Sequence, residues 1–427
     1  MITLIEHKSA TRDKAVEAAP LPAKAYIPLS QHVGKICSPE VRVGDAVFTG
    51  QRIATSEVKV FAPVHASISG KVAAIDDWPH PALGRCKAIV IESDGLDAKL
   101  PGSKDKGLPR VDTFSPQEIR RAVFDAGIIG MGGAGFPAHI KLTPPKPVDT
   151  LIINGAECEP YLTGDFRLMI EKTRELCAGI ELVATCLGAR CVYVAIEDNK
   201  PEAKKVLQEA CAERLAMHIV TLKPHYPQGG EKQLIKNVLH KEVPRGKLPF
   251  DVGVVVHNVA TVYAIYEAVY LNKPLYERVV TVTGSLLSNP KNLLARIGTP
   301  IKELIESCGP LKAEPAKIVI GGPMMGIAQY TDSVPVVKST TAVVVMDEKE
   351  ARILEEEYCI RCGACVRACP AGLLPCLINL ASEKWLWKEA QRYAAKDCIE
   401  CGLCNYVCPA NRRLVQSIRR AKIEEGL

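Results

Sequence analysis

Three absences narrow the reading before any motif is considered. The opening MITLIEHKSATRDK scatters charges and holds no apolar stretch of the kind a secretory leader needs, so none is expected. No apolar run is long and clean enough to cross a bilayer. The longest, residues 252–271, carries His257, Asn258 and Glu267, and its β-branched opening predicts a buried strand followed by a helix. A dense Lys/Arg stripe is also missing: the formal charge of +6 is mild for 427 residues and is no nucleic-acid footprint. A fourth absence is chemical. No Ser/His/Asp or Cys/His set marks an activated nucleophile, so no catalytic side chain is assigned.

What is present is ample core material: 47% hydrophobic and 24% charged residues describe globular protein, and 427 residues imply about two to four domains. Seventeen cysteines without a secretory leader point away from a disulfide framework, toward metal ligation or reactive thiols. Nine of the 17 fall between Cys359 and Cys408.

That region holds CIRCGACVRACP and CIECGLCNYVCP, two copies of C-x2-C-x2-C-x3-C-P. In this spacing three thiolates wrap one iron–sulfur cubane, and the fourth leaves the loop to ligate the other cluster. Cys359, Cys362, Cys365 and Cys408 are therefore expected to hold one [4Fe–4S] cluster, and Cys369, Cys398, Cys401 and Cys404 the second. Zinc is the competing reading, but eight cysteines in two such spacings exceed what a tetrahedral ion needs. Cys376 is a spare, read with Cys37, Cys86, Cys177, Cys186, Cys191, Cys211 and Cys308 as a small buried hydrophobe. The insertion between the quartets carries Trp385 and Trp387. It is either a docking surface for a redox partner or packing against a neighbouring domain. The closing segment NRRLVQSIRRAKIEEGL places Arg412, Arg413, Arg419, Arg420 and Lys422 on a helix: a solvated face, or an attraction for an acidic partner or anionic bilayer.

Upstream, residues 26–95 alternate short β-rich runs with Gly and Pro. VRVGDAVFTGQ and APVHASISGKV resemble the flattened sandwich of lipoyl and biotinyl carrier domains. The hairpin that presents a carrier's lysine is nearly deleted, so Lys59 is expected in a strand or tight turn. A polar linker, residues 100–116, precedes a helix with Ser115 as N-cap, Pro116 in the first turn and Gly127 as the stop. Strands and helices then alternate, which implies an α/β layer fold. From about residue 275 the texture becomes that of a small mixed α+β module.

The stretch Gly130-Met131-Gly132-Gly133-Ala134-Gly135 matches G-x-G-x-x-G letter for letter. A dinucleotide fingerprint must follow a strand and open a helix. Here a helix precedes it and Phe136-Pro137 follow at once, so the match fails on context. Taken with Lys141, NGAECEP (154–160) and HNVATVYAI (257–265), the run resembles the FMN- and NADH-binding flavoprotein subunit of respiratory complex I. The order of modules resembles the RnfC family, peripheral members of Rnf ion-translocating electron-transport complexes, from about residue 26 to 410.

The resemblance implies a multidomain α/β and α+β chain. Residues 1–105 would form a barrel-sandwich domain, 106–272 the flavoprotein-like α/β domain, 273–345 an SLBB-like β-grasp module and 346–427 a two-cluster ferredoxin domain. It implies FMN and two [4Fe–4S] clusters as cofactors and NAD(H) as substrate. Gly132, Gly133, Ala134, Gly135 and Phe136 would line the flavin, with Lys141 near its phosphate or ring. Asn154, Glu157 and Glu159 would contact flavin or nicotinamide, and Asn258 and Thr261 the ribityl or phosphate side. Gly230 and Glu231 would occupy a further loop of the site. Met131, Ala156, Cys158 and Ala260 depart from the complex I pattern, so the flavin carries over better than the nicotinamide contacts. The implied activity is electron transfer between NADH and ferredoxin, with ion translocation by partners: RnfA, RnfB, RnfD, RnfE and RnfG, ferredoxin being reached through the RnfB-type subunit. The implied place is the cytoplasmic face of the bacterial inner membrane. Two rival readings stand beside it: a soluble cobalamin reductase-like flavo-iron–sulfur enzyme, which lacks the long N-terminal sandwich, and a docking or relay subunit without flavin.

Overall fold

The computed structural model describes residues 2–102, 114–211 and 217–424. The linker's central part and the 105/106 boundary lie outside the described residues.

The sandwich spans Lys24–Pro28 to Gly84–Ser93. One sheet sets Gly84–Ser93 between Lys24–Pro28 and Gly70–His80, with Ala46–Val47 at the edge; a second pairs Ser38–Pro39, Arg52–Thr55 and Val64–His65. Alternate residues Ala25 and Ile27, and Ile89 and Ile91, point into the shared core with Ile53, Val64 and Val72. Lys59 is exposed in the bend that joins Arg52–Thr55 to Val64–His65.

The second module is built on four parallel strands in the order Met217–Leu222, Cys191–Glu197, Thr150–Gly155, Val254–Asn258. Strand alternation divides them between two layers of helix. Leu151, Ile153 and Val255 meet Pro116–Asp125, Thr173–Leu187 and Val259–Leu271; Ile152, Val254 and Val256 meet Glu231–Leu239. Such strands are buried on both faces, which is why their sequences read as continuous apolar runs. Ser115 caps the first helix as expected: Glu118 N donates to Ser115 Oγ at 3.3 Å, and Ser115 N donates to Glu118 Oε2 at 2.8 Å.

The third module is a six-stranded sheet around Glu277–Thr283 and Ala342–Met346, with the helix Ile301–Glu306 packed on it. Val16–Ala18 pairs in parallel with Lys291–Arg296 at the edge of this sheet rather than with the strands of the sandwich. The segment before it crosses the flavoprotein-like module: Ile2 bridges Tyr226, and His7 N donates to Pro160 O at 2.9 Å. Three residues forming an edge strand carry too little periodicity to betray their partner sheet.

The tail is made of short helices. Pro375–Glu383 and Trp387–Arg392 pack on Leu414–Glu424 through Ile378, Ala381, Ala390, Ile418 and Ala421. The tryptophan insertion therefore packs mainly within its own module. Arg420 lies over the Trp385 ring at 4.0 Å, while Trp385 remains 62% exposed. Much of the basic C-terminal face is spent internally: Arg412 on Glu356 and Glu383, Arg413 on Glu356, and Arg419 and Lys422 on Glu400. Among the described residues no helix is long and apolar enough to cross a membrane.

Candidate functional site

The glycine run stands between the first helix and the short helix Ala138–Lys141, with no strand before it. It is a closed turn. Gly130 N donates to Phe136 O at 2.8 Å, Gly135 N donates to Gly130 O at 3.1 Å, and Ile129 bridges Pro137. Gly132, Gly133 and Ala134 are exposed at its crest, Gly135 is buried and Phe136 partly so. Two positions favour glycine on physical grounds. A Cβ on Gly132 would press within 3.1 Å of Asn258 Cβ, and Gly133 has φ +122 and open space before it. A turn of bare backbone facing open space can bring its N–H groups against an anion.

Four elements bring the other expected residues to this turn. Asn258, at the end of the strand Val254–Asn258, caps the following helix: Ala260 N and Thr261 N donate to its Oδ1 at 2.9 and 3.4 Å. Thr261 is fully buried and accepts from Met131 N at 2.9 Å, so it braces the turn from behind. Asn154, at the end of Thr150–Gly155, donates to Gly229 O at 2.9 Å and holds the loop that carries Gly230 and Glu231. Lys141 Nζ donates to Glu231 Oε1 at 2.6 Å and to Val256 O at 2.8 Å. One cation thus links the glycine segment, the central sheet and the N-terminus of Glu231–Leu239.

The two glutamates of NGAECEP are placed differently from each other. Glu157 is buried; its Oε1 accepts from Asp165 N at 2.9 Å, and its Oε2 has no partner among the described residues. Burial pushes its pKa up to about 7, opposed by Lys8 and reinforced by Asp165. Glu159 is engaged elsewhere. Its carboxylate accepts from Met324 N and Met325 N of the third module at 3.2 and 2.9 Å. Its carboxyl thus forms an inter-module clasp, whereas that of Glu157 faces Asp165.

Sequence reasoning missed Asp165, Lys8 and the buried His257. Asn258 Nδ2 donates to Asp165 Oδ2 at 2.6 Å, which extends the site's hydrogen-bonded chain to Glu157. Lys8 reaches from the N-terminal segment to donate to the Glu157 carbonyl, and burial lowers its pKa. His257 Nε2 is buried without a partner among the described residues, and burial, with Lys141 next, drops its pKa to about 3. A lysine reads as surface in any composition-based reading, so nothing in the sequence marks Lys8.

In the tail, Cys369, Cys398, Cys401 and Cys404 line one apolar cavity with Leu373, Ile399, Leu403, Val415 and Ile418. Four thiols in one apolar cavity form an all-sulfur donor set of the kind that holds an iron–sulfur cluster. Cys365 is buried beside Cys376 and Cys408, whereas Cys359 and Cys362 are exposed. Cys376 is only partly buried, and its thiol interacts with that of Cys365; the reading as a buried hydrophobe is corrected there. Cys191 is likewise only partly buried.

The cavity quartet is the one that meets the flavoprotein-like module. Cys401 and Leu403 share an apolar cluster with Tyr226, Cys158 and Met324. Gln233 Nε2 donates to Pro370 O at 2.8 Å across the same boundary. Burial raises the Cys158 thiol to about 12.

Comparison with known proteins follows the same division. Residues 2–96 match the RnfC barrel sandwich hybrid domain, 123–267 the Nuo51 FMN-binding domain, 279–328 the SLBB domain and 351–409 the 4Fe-4S dicluster domain. The chain is 46% identical over 425 residues to the C component of the proton-translocating ferredoxin:NAD(+) oxidoreductase complex of Clostridium ljungdahlii, covering 98% of this chain and 92% of that protein. The chain belongs to the RnfC family. A second RnfC relative, the C component of the Na(+)-translocating ferredoxin:NAD(+) oxidoreductase complex of Acetobacterium woodii, is 42% identical over 98% of this chain and 94% of its own. The corresponding component of the ion-translocating oxidoreductase complex of Rhodobacter capsulatus is 43% identical, over 97% and 80%. Among solved structures, the NAD+-reducing [NiFe]-hydrogenase in its H2-reduced state aligns with TM-score 0.51 at 19% identity. The alignment covers 73% of this chain and 63% of that one, and shares a fold.

Proposed function

We propose that the chain is the peripheral electron-transfer subunit of a membrane-bound Rnf-type complex, moving electrons between NAD(H) and ferredoxin with FMN and two [4Fe–4S] clusters. Partner subunits of the RnfA, RnfB, RnfD, RnfE and RnfG types would carry out ion translocation, with ferredoxin reached through the RnfB type. The chain's place would be the cytoplasmic face of the inner membrane.

The observation that carries this reading is a juxtaposition. The module with the glycine turn packs directly on the cysteine cavity, through Cys158 and Tyr226 against Cys401 and Leu403, with Met324 of the third module in the same cluster. A bound flavin would supply the exchange between hydride chemistry and single-electron chemistry that nicotinamides and iron–sulfur clusters cannot make with each other. The chain's own residues hold and orient. Gly132, Gly133 and Ala134 would offer backbone N–H groups to the phosphate; Lys141 would supply a positive charge already fixed by Glu231 and Val256. Asn154, Gly230, Glu231 and Asn258 would form the remaining wall, with Gly135, Phe136 and Thr261 supporting the turn. Glu157, with Asp165, would keep a buried acid pair beside it.

The quartet Cys369, Cys398, Cys401 and Cys404 would hold the cluster nearer the flavin site. Cys359, Cys362, Cys365 and Cys408 would hold the more exposed one. The match over residues 2–96 to the RnfC sandwich favours this reading over a cobalamin reductase-like enzyme.

The test is anaerobic purification of the full chain, identification of bound flavin, an iron count and addition of NADH. FMN, iron for two [4Fe–4S] clusters and rapid flavin bleaching followed by cluster reduction are expected. Full iron occupancy with no flavin binding would overturn the reading.

A further inference from the structure

Lys338 is fully buried where three modules meet, and among the described residues no carboxylate pairs with it. Its Nζ donates to the carbonyl of Pro63 in the sandwich and to that of Gly127 in the flavoprotein-like module, at 2.7 Å each. Its own backbone belongs to the β-grasp module, where its N–H donates to Gln31 Oε1 at 3.1 Å and its carbonyl accepts from Arg278 Nη1. Burying an ammonium costs several kcal/mol unless its protons are bonded, so a site that keeps one serves a specific geometry.

Gly127 is the other half of that geometry. It ends the helix Pro116–Asp125 at φ +64, and a Cβ there would overlap the Pro63 carbonyl and stand 2.7 Å from Lys338 Nζ. From Gly127 the chain runs through Ile128 and Ile129, both buried, straight into the turn opened by Gly130. The carbonyl that Lys338 holds lies three residues before the glycine turn, ahead of Ile128, whose carbonyl accepts from Ala138 N at 3.0 Å, and of Ile129, which bridges Pro137.

We propose that Lys338 is a positioning residue for the glycine turn: by holding the Gly127 carbonyl against Pro63 it sets where residues 130–135 stand when the flavin site fills. The flavin part of this inference rests on the function proposed above. Lys338 touches no reacting atom; it acts through Gly127.

The groups facing Lys338 leave it the titrating member of its surroundings. Burial first, and Lys338 next, lower His32 and His65, while burial raises Cys37 to about 11. Burial also brings Lys338 down to about 7. A rigid inter-module staple with no bearing on the turn is the rival explanation, and the experiment separates the two.

Full-length wild type, K338M, K338Q and G127A would be compared by amide exchange of residues 128–136, by FMN titration and by iron content. In K338M, exchange at 128–136 should rise and FMN affinity fall by about tenfold or more, with iron unchanged. K338Q, which keeps donors on a shorter arm, should fall between, and G127A should follow K338M. If K338M does not fold, K338Q carries the same comparison. Wild-type exchange at 128–136 in the variant that folds would overturn the proposal, as would loosening confined to the segment around Pro63. If the wild type itself binds no FMN, the flavin reading fails while the exchange measurement still judges Lys338.

Discussion

Glu159 accepts a 2.9 Å hydrogen bond from the backbone N–H of Met325, and a second from Met324 at 3.2 Å, across a module boundary. The contact is tight on the other side as well, because a Cβ on Gly322 would overlap the Glu159 carboxylate. Met324 in turn packs beside Cys401, so this clasp fixes the third module near the cysteine cavity.

Removing the clasp should loosen the junction without touching any cluster ligand. Hydrogen bonds to a charged acceptor contribute about 1.5–3 kcal/mol each. Glu159→Ala should therefore lower the unfolding temperature by several degrees, and Gly322→Ala should produce the same change by steric means. Limited proteolysis between the modules should accelerate in both, and a wild-type cleavage rate in both would refute the clasp.

At the glycine turn the expected effect is on ligand binding. Gly133 has φ +122, where any side chain is strained by about 1–3 kcal/mol. Gly133→Ala should weaken FMN binding by roughly tenfold or more while iron content stays at the wild-type level. FMN fluorescence titration reads this directly.

The two quartets are expected to interleave, and the structure places Cys369 in the cavity with Cys398, Cys401 and Cys404. Cys369→Ser and Cys408→Ser should each lose one cluster, and a different one. Low-temperature EPR of the reduced proteins should show two distinct single-cluster spectra. Cys376→Ala, which removes a neighbour of Cys365 outside both quartets, should retain both clusters.

Glu157 predicts a pH effect with a definite sign. Its folded pKa is raised from 4.5 to about 7 by burial, so the folded chain binds more protons than the unfolded chain between those values. Stability from this group therefore falls as pH rises from about 4.5 to 7 and stays lower above it, a change of about 3 kcal/mol. Glu157→Gln should flatten that part of the profile, measured as unfolding temperature from pH 5 to 8. An unchanged slope would show that Glu157 is ionised throughout.

Local signals translated well from sequence to structure where the chemistry is contiguous. The Ser115 cap, the strand-then-helix reading of residues 252–271 and the failed context of GMGGAG all rest on neighbours within a turn or two. Long-range pairings were not legible in this way. Glu159 looked identical in role to Glu157, yet two residues of extended loop send the carboxyls to different partners. Asp165 gave no signal because its partner Asn258 is 93 positions away.

The cysteine spacing, the strand alternation and the glycine turn can be read from neighbouring residues alone, because ligand bite, pleat and φ are properties of a few consecutive positions. That Val16–Ala18 completes the third module's sheet, that Lys8 and Lys338 are buried, and that the cavity quartet faces the flavoprotein-like module emerge from the packed chain. Those facts depend on which surfaces exclude water from one another, and burial of a charge is a property of the assembled neighbours rather than of the residue.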